Sequence, residues 1–212
     1  MKEVWVRRAW CRLMLAMVVG LCAATGAAAQ GVVELAGVKY EPTAQVGTAK
    51  LVLNGAGIRY KAAIFKVYTA GLYLPEKTTS PESIFHSTAA RRMHIVMLRE
   101  IDATELGKLF TKGMEENASR EEFAKSIPGV IKMGEMFAGR KRLVAGDWFT
   151  VDWVPGSGTV ISVNGKPEIE PIKEPEFFTS LMRIWLGEHP ADAGLKDALL
   201  GKPRRSVRQG EG

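Results

Sequence analysis

The sequence predicts an α+β domain in which helices pack on one face of an antiparallel sheet. The first observation behind this is the order of patterns. Strand-like runs come first, a helical middle follows, and strands return before a last amphipathic helix. That order separates sheet from helices, whereas a parallel sheet would need them to alternate. The second is turn chemistry: Asn54-Gly55, Pro155-Gly156-Ser157-Gly158 and Asn164-Gly165 read as short hairpin connections between neighbouring strands. The third is size. A chain of 212 residues, 46% hydrophobic and 25% charged, is enough for one domain with a substantial core and excludes disordered or collagen-like classes.

Three regions are expected. Residues 1–29 read as a signal peptide: Lys2, Arg7, Arg8 and Arg12 precede the apolar run Leu13–Leu21, and Ala27-Ala28-Ala29 offers a small-x-small cleavage site. The apolar run is short for a bilayer span of about 20 residues, so no membrane span is expected after cleavage, and the protein is read as exported to a periplasm. Cys11 and Cys22 both lie in this segment, and Leu21 before Cys22 does not suit lipid attachment. The mature chain then has no disulfide, thiol nucleophile or Cys-based metal site. Residues 30–200 form the domain, and 201–212 a basic tail with Arg204, Arg205 and Arg208, read as disordered. The four basic residues of the signal, against Glu3, carry half of the formal net charge of +6. No basic-aromatic strip marks a nucleic-acid surface.

Within the domain, Gln30–Thr48 is an extended entry punctuated by Gly37 and Pro42. Lys50–Tyr60 is a strand reaching the Asn54-Gly55 turn, and Ala63–Leu74, rich in branched and aromatic residues, is a long buried strand ended by Pro75. A short helix is expected over Pro81–Phe85 and a buried strand over Met93–Leu98. Asp102 and Glu105 have the spacing of a capping box that opens a helix to Asn117. Ser119 caps a second helix, with Phe123, Ile127, Val130, Ile131 and Phe137 on its buried side and Pro128 breaking or kinking it. Asp147–Val154 is a strand with Phe149, Val151 and Trp153 on one face, and Thr159–Val163 returns beside it. Pro175 starts a last amphipathic helix carrying Phe177, Leu181, Ile184 and Trp185, which ends at Gly187.

Three stretches together resemble the chalcone isomerase family. They are Leu53–Arg59, Val67–Pro75, and Leu186-Gly187-Glu188-His189-Pro190 with Leu195–Leu199; their order matches over roughly residues 48 to 200. The exported form resembles the bacterial branch of that family. The resemblance implies an open-faced β-sandwich, a large antiparallel sheet carrying a layer of helices. It also implies an arginine that steadies a substrate anion beside polar groups at a ketone, with no metal or covalent intermediate.

Carried over residue by residue, the family arginine falls on Arg59, which composition alone would read as a surface residue at a strand end. The catalytic threonine falls on Tyr68, whose plain reading is a core aromatic. The tyrosine of the first long helix falls on Phe110, the asparagine on Asn117, and the last helix's threonine on Ile184. Asn117 reads equally as a helix terminator. Only Arg59 and Asn117 keep the family's polar chemistry, so the ketone-binding hydroxyls are missing. Arginine beside tyrosine is the pattern of the fold's fatty-acid-binding members, where guanidinium and phenol grip a carboxylate. The expected partner is therefore a small amphipathic or acyl ligand, without cofactor. An isomerase of an unsaturated ketone and an envelope structural or interaction protein are the alternatives. His86, His94 and His189 are scattered, and no nucleophile elbow, P-loop or dinucleotide motif occurs.

Overall fold

Strands rich in branched and aromatic residues build the centre of the molecule. The computed structural model describes residues 31–202. The expected signal peptide, both cysteines and all of the basic tail after Lys202 lie outside the described residues. The chain opens with three short strands, β1 (Val33–Leu35), β2 (Val38–Tyr40) and β3 (Thr43–Val46), then two long ones, β4 (Ala49–Lys61) and β5 (Phe65–Leu74). Helix α1 (Pro81–Phe85) leads into β6 (Arg91–Met97) and the two-residue β7 (Ile101–Asp102). Helices α2 (Ala103–Asn117) and α3 (Arg120–Ala138) follow, then β8 (Arg142–Leu143), β9 (Trp148–Val154), β10 (Gly158–Val163) and β11 (Lys166–Pro167). The described chain closes with α4 (Pro175–Leu186) and α5 (Ala193–Leu199).

Seven strands form one antiparallel sheet in the order β11-β10-β9-β6-β5-β4-β3. Its helix-side face carries Tyr68, Ala70 and Leu72 from β5, Met93 and Ile95 from β6, and Phe149 and Val151 from β9, all buried. They pack on Phe110 and Met114 of α2, Met133 and Phe137 of α3, and Phe177, Leu181 and Trp185 of α4. This is the expected open-faced sandwich. The opposite face of β5 is covered too, by the β1–β2 hairpin. Tyr40, fully buried, lies flat where Gly71 lacks a side chain, and its Oη donates to Thr69 Oγ1 at 2.7 Å.

Helix ends obey the expected caps: Asp102 accepts from Glu105 N at 2.8 Å, and Ser119 from Glu122 N at 3.1 Å. Asn164 (φ 49°) and Gly165 (φ 82°) make the β10–β11 turn as their types predict. Three expectations fail. Asn54-Gly55 is no turn; β4 runs straight through it, with a register shift between Leu53 and Gly55. The real β4–β5 turn is at Ala62 and Ala63, both at positive φ. Gly55 is needed because α5 crosses there, and a Cβ would overlap the Ala198 carbonyl oxygen. Asn54 stays buried in the strand, donating to Leu199 O at 2.7 Å and Thr78 O at 3.0 Å and accepting from Thr78 N at 2.8 Å.

Pro128 does not end α3 either. Both Pro128 and Ala124, whose carbonyl loses its helical partner, are exposed, so the missing bond lies on the solvent side of the helix. Ile127 and Ile131 are exposed rather than buried. The buried face of α3 is instead set by Ser126 and Gly129, whose small size lets α4 approach: Ser126 Oγ meets Ser180 Oγ at 3.0 Å, and a Cβ on Gly129 would run into the Phe177 ring.

Candidate functional site

Arg59 and Tyr68 are directly opposite each other on β4 and β5, an antiparallel register pair. Side chains opposed in this way share one face of the sheet, here the face toward α2. The Arg59 guanidinium stands 5.6 Å from the centroid of the Tyr68 ring, within cation–π range. Both line a cavity of about 210 Å³. Its other walls are Leu106, Leu109 and Phe110 of α2, Ile184 of α4, Val67 of β5 and the segment His189–Ala191. Four of the five residues singled out in the sequence, Arg59, Tyr68, Phe110 and Ile184, thus meet around one hollow.

Its polar end is sparse and specific. Tyr68 is 2% exposed, and its Oη accepts from the Trp185 indole N–H at 2.8 Å. The phenol's own proton remains available to a ligand oxygen, since no acceptor for it occurs among the described residues. Burial pushes the Tyr68 hydroxyl up to about 12, with Arg59 and the Trp185 hydrogen bond pulling the other way. The group is therefore a neutral donor at any physiological pH. Arg59 is half-buried and makes no ion pair or hydrogen bond with any described residue. Asp192, close enough to be felt by Tyr68, spends its carboxylate on backbone instead: Oδ2 accepts from Tyr60 N at 2.9 Å and Oδ1 from Leu195 N at 2.9 Å. Around the rim stand Lys112 and Glu116, paired with each other at 3.6 Å, and His189. Among the described residues, the hollow therefore holds one cation without a salt-bridge partner and one phenolic donor, with Lys112, Glu116 and His189 at the rim and apolar walls elsewhere.

Asn117 is the exception. It lies outside this cavity, and its amide is fully occupied by backbone: Nδ2 donates to Gly113 O and His189 O, each at 2.9 Å, and Oδ1 accepts from His189 N at 2.8 Å. These bonds make Asn117 a clasp that ties the end of α2 to the Gly187–His189 segment. Sequence reasoning overlooked Trp185 as a partner of Tyr68, having placed it simply on the buried face of α4. A buried phenol opposite an indole on an amphipathic helix was the available signal, since each needs a hydrogen-bond partner.

The chalcone isomerase-like family model matches residues 32–201, nearly all of the described chain. The chain belongs to the chalcone isomerase-like family. Among solved structures, the crystal structure of a fatty-acid binding protein of Arabidopsis thaliana has the same fold, with a TM-score of 0.65 at 13% identity; the match covers 80% of this chain and 95% of that one. No curated protein matches the chain in sequence. Within this chalcone isomerase-like frame, Phe110, 4% exposed, and Ile184, 3% exposed, give the hollow apolar walls. The phenylalanine packs edge-on against Trp185 at 5.5 Å and Phe137 at 5.9 Å, which leaves it an apolar wall. No group of His, Cys, Asp or Glu able to hold a metal occurs among the described residues, and no described helix is long and apolar enough to cross a membrane.

Proposed function

We propose that the protein is an exported, non-catalytic binder of a small amphipathic carboxylate such as a fatty acid. The single observation behind this reading is the unpaired Arg59 guanidinium stacked on Tyr68 at the wall of an apolar hollow. A partly desolvated cation with no salt-bridge partner among the described residues favours an anionic ligand. A carboxylate would accept charge-assisted bonds from Arg59 and one from the free Tyr68 hydroxyl. The acyl chain would lie along Leu106, Phe110 and Ile184. The family membership and the fatty-acid binding neighbour support a binder over an isomerase, as does the loss of hydroxyls at Phe110 and Ile184. The hollow is smaller than the roughly 300–1,000 Å³ usual for drug-sized ligands. A chain of medium length fits it best, and a longer one would emerge past Leu109.

Two measurements test this. Protein from cells expressing the full chain is analysed for its N-terminus and for co-purified lipids by mass spectrometry; a start at Gln30 and a bound fatty acid are expected. Decanoate titration by calorimetry should then show binding that weakens about ten- to hundredfold in Arg59→Gln, the worth of one charged hydrogen-bonding site. Absence of binding, or equal binding by both proteins, would contradict the reading.

A further inference from the structure

The β4–β5 hairpin ends in an exposed tip whose chemistry the cavity does not use. Ile64 is 71% exposed and Phe65 53%, side by side. Lys61 and Lys66 flank them, both exposed and free of ion pairs among the described residues. The turn itself is held by Ala62 (φ 50°) and Ala63 (φ 61°). Glycine or asparagine would take that left-handed backbone more easily, so the chain keeps an apolar tip in spite of its conformational cost. Neighbouring segments add to the same surface. Leu98 N donates to Val67 O at 2.9 Å, which brings Arg99 beside the hairpin, and Gly146 N donates to Met97 O at 2.9 Å, which brings exposed Val144 to the same end of the sheet. The acids at that end are Glu100, which faces Arg142 at 3.3 Å, and Asp147, whose carboxylate accepts from Val144 N at 2.9 Å and Asn164 Nδ2 at 3.0 Å.

Apolar side chains at a tip, ringed by unpaired lysines, match an anionic bilayer surface: the ring meets headgroups and the tip enters the acyl boundary. The tip is continuous with the site. Arg59 lies three residues before Ala62 and Val67 four after Ala63; at about 3.3 Å per residue, the cavity wall is within roughly 13 Å of the tip. We infer that the Ile64-Phe65 tip, with Lys61 and Lys66, docks the protein on an anionic phospholipid bilayer and brings the cavity wall close to the lipid from which an acyl ligand would come. The ligand part of this rests on the proposed function; the docking does not.

The test is sedimentation of the protein, N-terminus verified, with phosphatidylglycerol/phosphatidylcholine vesicles and with phosphatidylcholine alone, alongside decanoate titration in vesicle-free buffer. Binding is expected on the anionic vesicles and should weaken with added salt. Ile64→Ser/Phe65→Ser should lower it by more than about tenfold, and Lys61→Ser/Lys66→Ser by about tenfold or more. Both variants alter exposed positions and should titrate decanoate like the wild type. No vesicle binding, or binding untouched by either variant, overturns the docking while leaving the ligand reading standing. Tip-dependent vesicle binding without decanoate binding upholds the docking and removes the ligand reading.

Discussion

At the residue scale the hollow turns on two side chains whose partners differ in kind. Among the described residues, Tyr68 has one hydrogen-bond partner, Trp185, and one free proton, and Arg59 has a ring to lie against and no acceptor. Tyr68→Phe should therefore do two separable things. It leaves the fully buried Trp185 N–H without an acceptor, a loss of about 1–3 kcal/mol in stability, visible as a lower denaturant midpoint at unchanged slope. It also removes one donor from the ligand site and weakens decanoate binding less than Arg59→Gln does. Unaltered stability would mean that the Tyr68–Trp185 bond is not formed in solution. Both residues follow from the family resemblance and not from strand pairing, since the β4–β5 turn lies at Ala62 and Ala63 rather than at Asn54-Gly55. The role of Asn117 does not. Its clasp on His189 joins positions 72 residues apart, and a single asparagine at a helix end carries no sign of such a distant partner.

Elements were legible where the signal is local and obscure where a distant element decides. The caps at Asp102 and Ser119 and the Asn164-Gly165 turn follow from chemistry within three residues. Asn54-Gly55 carries the same local signal as Asn164-Gly165, yet it is a bulged stretch of β4 because α5, over 140 residues later, lies against it. Likewise the isoleucines of α3 suggested its buried face, but small Ser126 and Gly129 hold that face because α4 comes so near. Close approach favours small residues, a preference opposite to hydrophobicity. Gly55→Ala consequently should loosen α5 from β4 and cost about 1–3 kcal/mol, raising hydrogen exchange across Ala193–Leu199 while leaving α2 and α3 protected. Exchange unchanged in α5 would show that β4 and α5 adjust without cost.

Over the whole molecule, titratable groups buried on both faces of the sheet set the pH range of stability. Burial lowers His94 to about 4, with Arg92 adding to the effect; its ring lies edge-on to Tyr40 at 5.5 Å and Trp148 at 5.2 Å. The folded state then binds fewer protons than the unfolded chain, whose histidine titrates near 6.5, so stability falls as pH drops from about 6.5 toward 4. The fully developed loss is on the order of 3 kcal/mol. At the other end, burial raises Tyr68 and Tyr73 to about 12 and Tyr40 higher still. The folded state there keeps protons that the unfolded phenols release above about 10, and stability falls as pH rises through that range. Denaturant unfolding across pH should show a plateau from about 7 to 9 with both limbs. His94→Gln should flatten the acid limb between 6.5 and 4, and an unchanged limb would place its cause elsewhere. The fold as a whole could be read in advance because element order, not any single contact, specifies the layers.

Decanoate labelled with 13C at its carboxyl carbon reports most directly on the Arg59 site, because its resonance follows the charge of the head group itself. The bound signal should remain that of a carboxylate to lower pH in the wild type than in Arg59→Gln, since the guanidinium favours the ionised form. A bound signal titrating identically in the two proteins, or no bound signal in either, would contradict it.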